Sequence, residues 1–202
     1  MTSAWGMAES FFMEIVDLAV QSEDIRGQAA SFLVEHFDEP YGWPSLASAR
    51  EELARLMVEG FARAILDSEK IVAGWVGGLP EYKGRVWELH PIVVHRQYRN
   101  RGIGRTLVKL FESEAAKRGA LTLTLGTDDN SGMTSLSGVD LYTDLPRYLA
   151  EVRDLGRGHP FLFYQKLGFV VSGVMPDANG VGRPDIYMSA SCSVWFTHSE
   201  VI

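Results

Sequence analysis

The sequence predicts a mixed α/β protein with helices on both faces of its sheet, and three features point there. Three successive segments rich in β-branched and aromatic residues, Phe61–Asp67, Lys70–Pro80 and Arg85–Val94, are joined by short polar turns. A helix follows from Gly102 to about Arg118, with Ile103, Leu107, Leu110 and Phe111 on one stripe and Gly119 as its stop. Strands and helices then alternate, the pattern of layers packed on a sheet.

The elements follow in order. Phe11–Leu18 reads as a first strand. Ile25–Phe37 and Ser45–Val58 carry apolar residues at helical spacing, separated by the breaker run Asp38–Pro44. After the long helix, Leu121–Leu125 alternates Leu with Thr as a half-buried strand does. Asp140–Leu155 reads as helical, and His159 and Pro160 open a short helix that ends at Gly168. Phe169–Val174 and Asp185–Ser191 complete the sheet, and the tail from Ser193 to Ile202 is left unassigned. No repeat or linker interrupts the chain, so residues 1–202 are expected to form one domain.

Composition narrows the function classes. A net charge of −7 argues against duplex nucleic acid or an anionic membrane as partner, because both need clustered Lys and Arg. It is compatible with a small cationic ligand. The one cysteine, Cys192, allows no internal disulfide. Glu9, Glu14 and Asp17 interrupt the start where a signal peptide needs an apolar run, and no segment has the ~20 apolar residues of a membrane helix. A cytoplasmic location is the expectation. The five histidines form no metal-ligand pair, so no metal is expected.

The segment Arg99, Asn100, Arg101, Gly102, Ile103, Gly104, Arg105, Thr106 joins the fourth strand to the long helix. Its glycines let the backbone turn and approach a ligand closely. The helix start adds free N–H groups and the positive end of the dipole, which suit a pyrophosphate. It is neither the three-glycine dinucleotide fingerprint nor a Walker loop.

On the fourth strand, residues two apart share a face, so Glu88 and His90 point together, opposite to Trp87 and Leu89. A carboxylate and an imidazole side by side can take a proton from an ammonium, directly or through water. Pro91 cannot donate to a ladder, and a bulge there would splay the fourth strand from its neighbour. The N–H of Ile92 would then be free as an oxyanion donor, and the backbone of Val93 and Val94 free to pair with an extended ligand arm.

The arginine- and glycine-rich loop, with the order of elements, resembles the acetyl-CoA loop of the GNAT acetyltransferase superfamily. Within it, WELHPIVV (Trp87–Val94), LGTDD (Leu125–Asp129), DLY (Asp140–Tyr142), His159–Pro160, FYQKLGF (Phe163–Phe169), PDANG (Pro176–Gly180) and PDI (Pro184–Ile186) resemble the bacterial aminoglycoside 6′-N-acetyltransferases. The resemblance runs from Trp87 to Met188. It implies the GNAT fold, a mostly antiparallel mixed sheet splayed at the fourth strand.

It also implies direct acetyl transfer from acetyl-CoA to the 6′-amine of a small cationic aminoglycoside. Glu88 would then be the base with His90 assisting, and Tyr164 would sit at the CoA sulfur. Ile92, Val93, Val94, residues 99–106 and Tyr164 would hold acetyl-CoA. Tyr82, Glu88, Asp128, Asp129 and Glu151 would line the amine side. Asp128 and Asp129 lie just past the fifth strand, where α/β ligands bind. The family resemblance further implies a homodimer. The alternatives are the same fold acting on a polyamine, peptide or protein amine, and a CoA-binding module without catalysis.

Overall fold

The computed structural model describes residues 13–37 and 42–192. Its elements are β1 (Glu14–Asp17), α1 (Glu23–His36), α2 (Leu46–Glu59), β2 (Phe61–Leu66), β3 (Val72–Glu81), β4 (Val86–Val94), α3 (Ile103–Lys117), β5 (Thr122–Asp128), α4 (Leu145–Ala150), α5 (Phe161–Gln165), β6 (Val170–Met175) and β7 (Asp185–Ser191). The seven strands form one sheet in the order β1-β2-β3-β4-β5-β7-β6. β4 and β5 run parallel, whereas β1–β2, β5–β7 and β6–β7 are antiparallel. The mixed, mostly antiparallel sheet expected from the sequence is therefore the one observed.

The chain divides into two compact units, Met1–Val76 with Ile92–Leu107, and Gly77–Pro91 with Val108–Ile202. In the first, Ser22 and Ser45 cap α1 and α2, their hydroxyls accepting from the N–H of Ile25 and Ser48. The indole of Trp75, fully buried on β3, donates to the carbonyl of Ala29 at 2.9 Å and ties α1 to that strand. Leu33, Leu53, Leu56, Phe61 and Ile65 fill the core there. Each such side chain contributes roughly 1.5–3 kcal/mol on burial.

In the second unit Trp87, Leu89, Phe111, Leu123, Leu125, Phe161, Phe169, Ile186 and Met188 are buried. The alternation on β4 is strict: Trp87, Leu89, Pro91 and Val93 are buried, with Glu88, His90 and Ile92 half-exposed between them. The β4–β5 ladder covers only Val86 to Glu88, against Thr122 to Thr124. β5 itself continues to Asp128 on its β7 side. The two parallel strands thus part just before Pro91, the splay that the sequence predicts.

Two expectations need correction. The first strand is shorter than Phe11–Leu18: Asp17 accepts from the N–H of Ala19 and turns Leu18–Val20 into a 3-10 turn, while Phe11 and Phe12 lie outside the described residues. Asp140–Leu155 is not one helix but a 3-10 turn at Leu141–Thr143 followed by α4. Asp144 leaves helical geometry with φ −162° and recaps the chain through the N–H of Arg147, and Pro146 fits only a helix's first turn. The Ser193–Ile202 tail lies outside the described residues.

Candidate active site

In the second unit the parity of three strands builds one polar face. Glu88 stands opposite Thr124 in the β4–β5 ladder, and Thr124 stands opposite Ser189 in the β5–β7 ladder. Residues two apart keep that face, so Gly126 and Asp128 on β5 share it with Asp185 and Tyr187 on β7. Asp128 and Asp185 are direct cross-strand partners. Two like charges in that position repel and lower stability.

Asp185 is the group that the sequence reading missed. A Cβ at Gly126 would come within 2.6 Å of Asp185 Oδ2 and 2.9 Å of Oδ1, so the carboxylate lies over the bare backbone of β5. Its Oδ1 is buried without a hydrogen-bond partner. Burial, and then the charges of Asp128 and Glu88, push its carboxyl up to about 6. The same influences raise the Tyr187 phenol, burial first and then the charges of Asp185, Glu88, Asp128 and Glu81. Glu88, Asp128 and Asp185 therefore converge. A signal for Asp185 was available, since alternation along Asp185–Ser191 puts it on the exposed side.

Asp128 is held from two directions. Its Oδ1 accepts from Asn179 Nδ2 at 2.5 Å, and its carbonyl accepts from His159 Nε2 at 3.2 Å. His159 Nδ1 accepts from the N–H of Phe161 at 3.2 Å, so the buried ring is the neutral Nε2–H tautomer. Burial lowers its pKa and keeps it neutral. His159 is thus a brace between the end of β5 and the start of α5.

Asp129 does not belong with the amine-binding carboxylates expected from the sequence. It is fully buried, and its oxygens accept from the N–H of Met133 (2.7 Å), the N–H of Thr134 (2.8 Å) and the hydroxyl of Thr134 (2.8 Å). Its acceptor capacity goes to shaping the following loop. Glu151 is exposed at the end of α4, with its carbonyl taking a bond from Ser135 at 3.4 Å.

Tyr82 is 76% exposed in the β3–β4 turn. Tyr82, Lys83 and Gly84 have successive φ values of 46°, 60° and 80°. Left-handed backbone at a tyrosine costs of order 1–3 kcal/mol and persists where the surroundings impose it. The indole of Trp87 donates to the carbonyl of Gly84 at 3.1 Å and ties this turn to β4. His90 is half-exposed on the Glu88 side of β4. Tyr164 on α5 is buried between Phe163 and Phe169, with ring centroids 5.1 and 5.8 Å away. Burial raises its phenol well above the ordinary value, so it stays protonated as a donor.

The residues expected from the sequence to cradle a phosphate belong to the first unit. Arg99, Asn100, Arg101 and Gly102 are exposed, with Asn100 at φ 60° and Gly102 at φ 83°. The first backbone bond closing α3 runs from the N–H of Thr106 to the carbonyl of Gly102 at 3.0 Å. The N–H groups of Ile103, Gly104 and Arg105 precede it, at the positive helix end. Arg105 and Thr106 are exposed on this first turn. Ile92 and Val94 are half-exposed on β4 and Val93 is buried. Among the described residues no group of three or more His, Cys, Asp and Glu could hold a metal ion.

Comparison with known proteins identifies the family. Residues 23–136 match the acetyltransferase (GNAT) family. Among solved structures, an aminoglycoside 6′-N-acetyltransferase complexed with coenzyme A is 37% identical, covering 89% of this chain and 97% of its own, with TM-score 0.81. The aminoglycoside 6′-N-acetyltransferase from Enterococcus faecium is also 37% identical over the same shares, with TM-score 0.79. An aminoglycoside 6′-acetyltransferase type Ii is 32% identical, again over 89% and 97%, with TM-score 0.66. No curated protein sequence matches the chain.

Proposed function

The chain belongs to the GNAT family of acetyltransferases, and from that premise we propose that it moves the acetyl group of acetyl-CoA to the 6′-amine of an aminoglycoside antibiotic. The observation that carries the substrate class is the convergence of Glu88, Asp128 and Asp185 on one face, with Asp185 Oδ1 buried and unpaired. Such a site is costly when empty and is relieved by a ligand bearing several ammonium groups.

The chemistry needs a proton removed, a nucleophile aimed, an oxyanion held and a thiolate released. Glu88 takes a proton from the ammonium, through water or with His90 assisting. The freed amine nitrogen forms a bond to the thioester carbon. The N–H of Ile92 donates to the resulting oxyanion. The carbonyl then re-forms as the carbon–sulfur bond breaks, the nitrogen releases its second proton to solvent, and the Tyr164 hydroxyl donates a hydrogen bond to the departing thiolate. A thiol of pKa ~8.5 is a good leaving group, so Tyr164 need not give up its proton completely.

Asp128 and Asp185 anchor further ammonium groups of the substrate, and Tyr82 offers an exposed aromatic wall. Residues 99–106 take the pyrophosphate of acetyl-CoA through N–H groups and arginines. The backbone of Val93 and Val94 takes its pantetheine arm. A homodimer and a cytoplasmic location belong to the same proposal; light scattering at twice the 22.4 kDa chain mass would support the dimer. No helix among the described residues is long and apolar enough to cross a membrane.

The position of the acetyl group in the product tests the reading. Kanamycin incubated with the protein and acetyl-CoA should carry one new acetyl group, found by NMR on the 6′ nitrogen. Acetylation at another amine would overturn the regiochemistry. Absence of an acetylated product alongside tight CoA binding would favour a module without catalysis.

A further inference from the structure

Beyond the site itself, we propose that Asp67 is a positioning residue for the phosphate loop and acts through the hydroxyl of Tyr98. The inference rests on the acetyl-CoA reading of residues 99–106. Asp67 follows β2 and organises the turn into β3, where its Oδ1 accepts from the N–H groups of Glu69 and Ile71, each at 2.9 Å. Its Oδ2 is left for one partner, the Tyr98 hydroxyl, which donates to it in a buried hydrogen bond.

Both residues are buried, Asp67 at 9% exposure and Tyr98 at 7%. Burial works against the charge of Asp67, yet the Tyr98 hydroxyl and the two N–H groups outweigh it and hold the carboxyl below its usual range. The phenol in turn is pushed up to about 12, by the bond to Asp67 first and by burial second. The donor and acceptor roles are therefore fixed.

What gives this bond a function is where Tyr98 stands. It ends the 3-10 turn Arg96–Tyr98, and the next four residues, Arg99 to Gly102, are exposed. Ile103, buried at 8%, begins α3. The exposed loop is thus suspended between two buried anchors. Only Tyr98 fixes its anchor by a directional, charge-assisted bond as well as by packing. The guanidinium of Arg101 lies over the Tyr98 ring, 5.7 Å from its centroid, so the same ring that Asp67 orients also steadies a loop arginine. A turn between two strands thereby sets the geometry of a loop thirty-odd residues away.

Calorimetric titration with coenzyme A tests this on the wild type, Tyr98→Phe and Asp67→Asn. Tyr98→Phe keeps the ring and removes only the hydroxyl. It should weaken CoA binding roughly tenfold, the loss expected from a charge-assisted bond. kcat at saturating acetyl-CoA and KM for the amine should stay within about twofold. Asp67→Asn keeps an acceptor for the turn but loses the charge, and should weaken CoA binding in the same direction. Trp75→Phe serves as a control that destabilises the same unit and should leave CoA affinity unchanged.

Wild-type CoA binding with undiminished affinity in both variants would overturn the positioning role. Equal weakening in Trp75→Phe would reduce it to general stability and also overturn it. Failure of the wild type to bind CoA would instead remove the acetyl-CoA reading. If Tyr98→Phe does not fold, the Asp67→Asn titration decides.

Discussion

Glu88 and Asp185 share one face of the sheet, and the proposed mechanism gives them different tasks that substitution separates. Glu88→Gln should lower turnover of a protonated amine about 100-fold, in the range of lost general-base catalysis, while CoA affinity stays unchanged. Steady-state rates at neutral pH check this, and an unchanged kcat would remove Glu88 as the base. Asp185 makes a pH-dependent prediction. Its folded pKa of about 6 lies above the unfolded value near 4, so in that window the folded chain holds more protons than the unfolded one. Stability from this group is therefore lost as pH rises through about 6. Asp185→Asn should raise Tm at pH 7 and change it little at pH 4.5, as thermal melts will show. The same variant should raise KM for a polycationic substrate, and kcat/KM in the wild type should climb through pH 6 as Asp185 ionises. Glu88 was legible in the sequence because Trp87 and Leu89 fix the parity of its strand. Asp128 and Asp129 were not separable there. Both were expected just past the fifth strand, but β5 runs through Asp128, and only the Met133 and Thr134 bonds show that Asp129 turns inward.

At the level of elements, the parting of β4 from β5 and the loop before α3 were both readable, because proline removes a ladder donor and glycine admits left-handed backbone whatever surrounds them. The ladder ends at Glu88 and Gly102 takes φ 83°. A Cβ at Gly102 would meet nothing within 4 Å, so substitution there acts through backbone strain and not through collision. Gly102→Val should weaken CoA binding about five- to thirty-fold, since left-handed backbone costs roughly 1–2 kcal/mol. Gly102→Asn, a residue that tolerates the conformation, should stay near wild-type affinity. Equal loss in the two variants by calorimetry would mean that the missing side chain matters, not the torsion. The helix expected over Asp140–Leu155 failed for a reason of the same kind. Apolar spacing continued through it, but Asp144 and Pro146 restart the chain locally, and periodicity does not register a cap inside a run. The brace from His159 to the carbonyl of Asp128 was equally hidden, because a buried neutral histidine leaves no trace in spacing.

Across the whole molecule, the net charge of −7 argued against duplex nucleic acid and was compatible with a small cation, but a sum carries no location. The sheet supplies the location by setting Asp128 opposite Asp185 beside Glu88. The GNAT family accounts for the acetyl donor and the fold, whereas the proposed acceptor class rests on this face. The claim that most needs testing is therefore the identity of the amine. A thiol-release assay with acetyl-CoA against kanamycin, tobramycin, a 6′-hydroxy aminoglycoside, spermidine and a lysine peptide addresses it directly. Turnover on the two 6′-amino drugs and none on the 6′-hydroxy drug is the predicted result. Turnover confined to spermidine or the peptide would contradict the account, leaving an acetyltransferase whose carboxylate face serves a different amine.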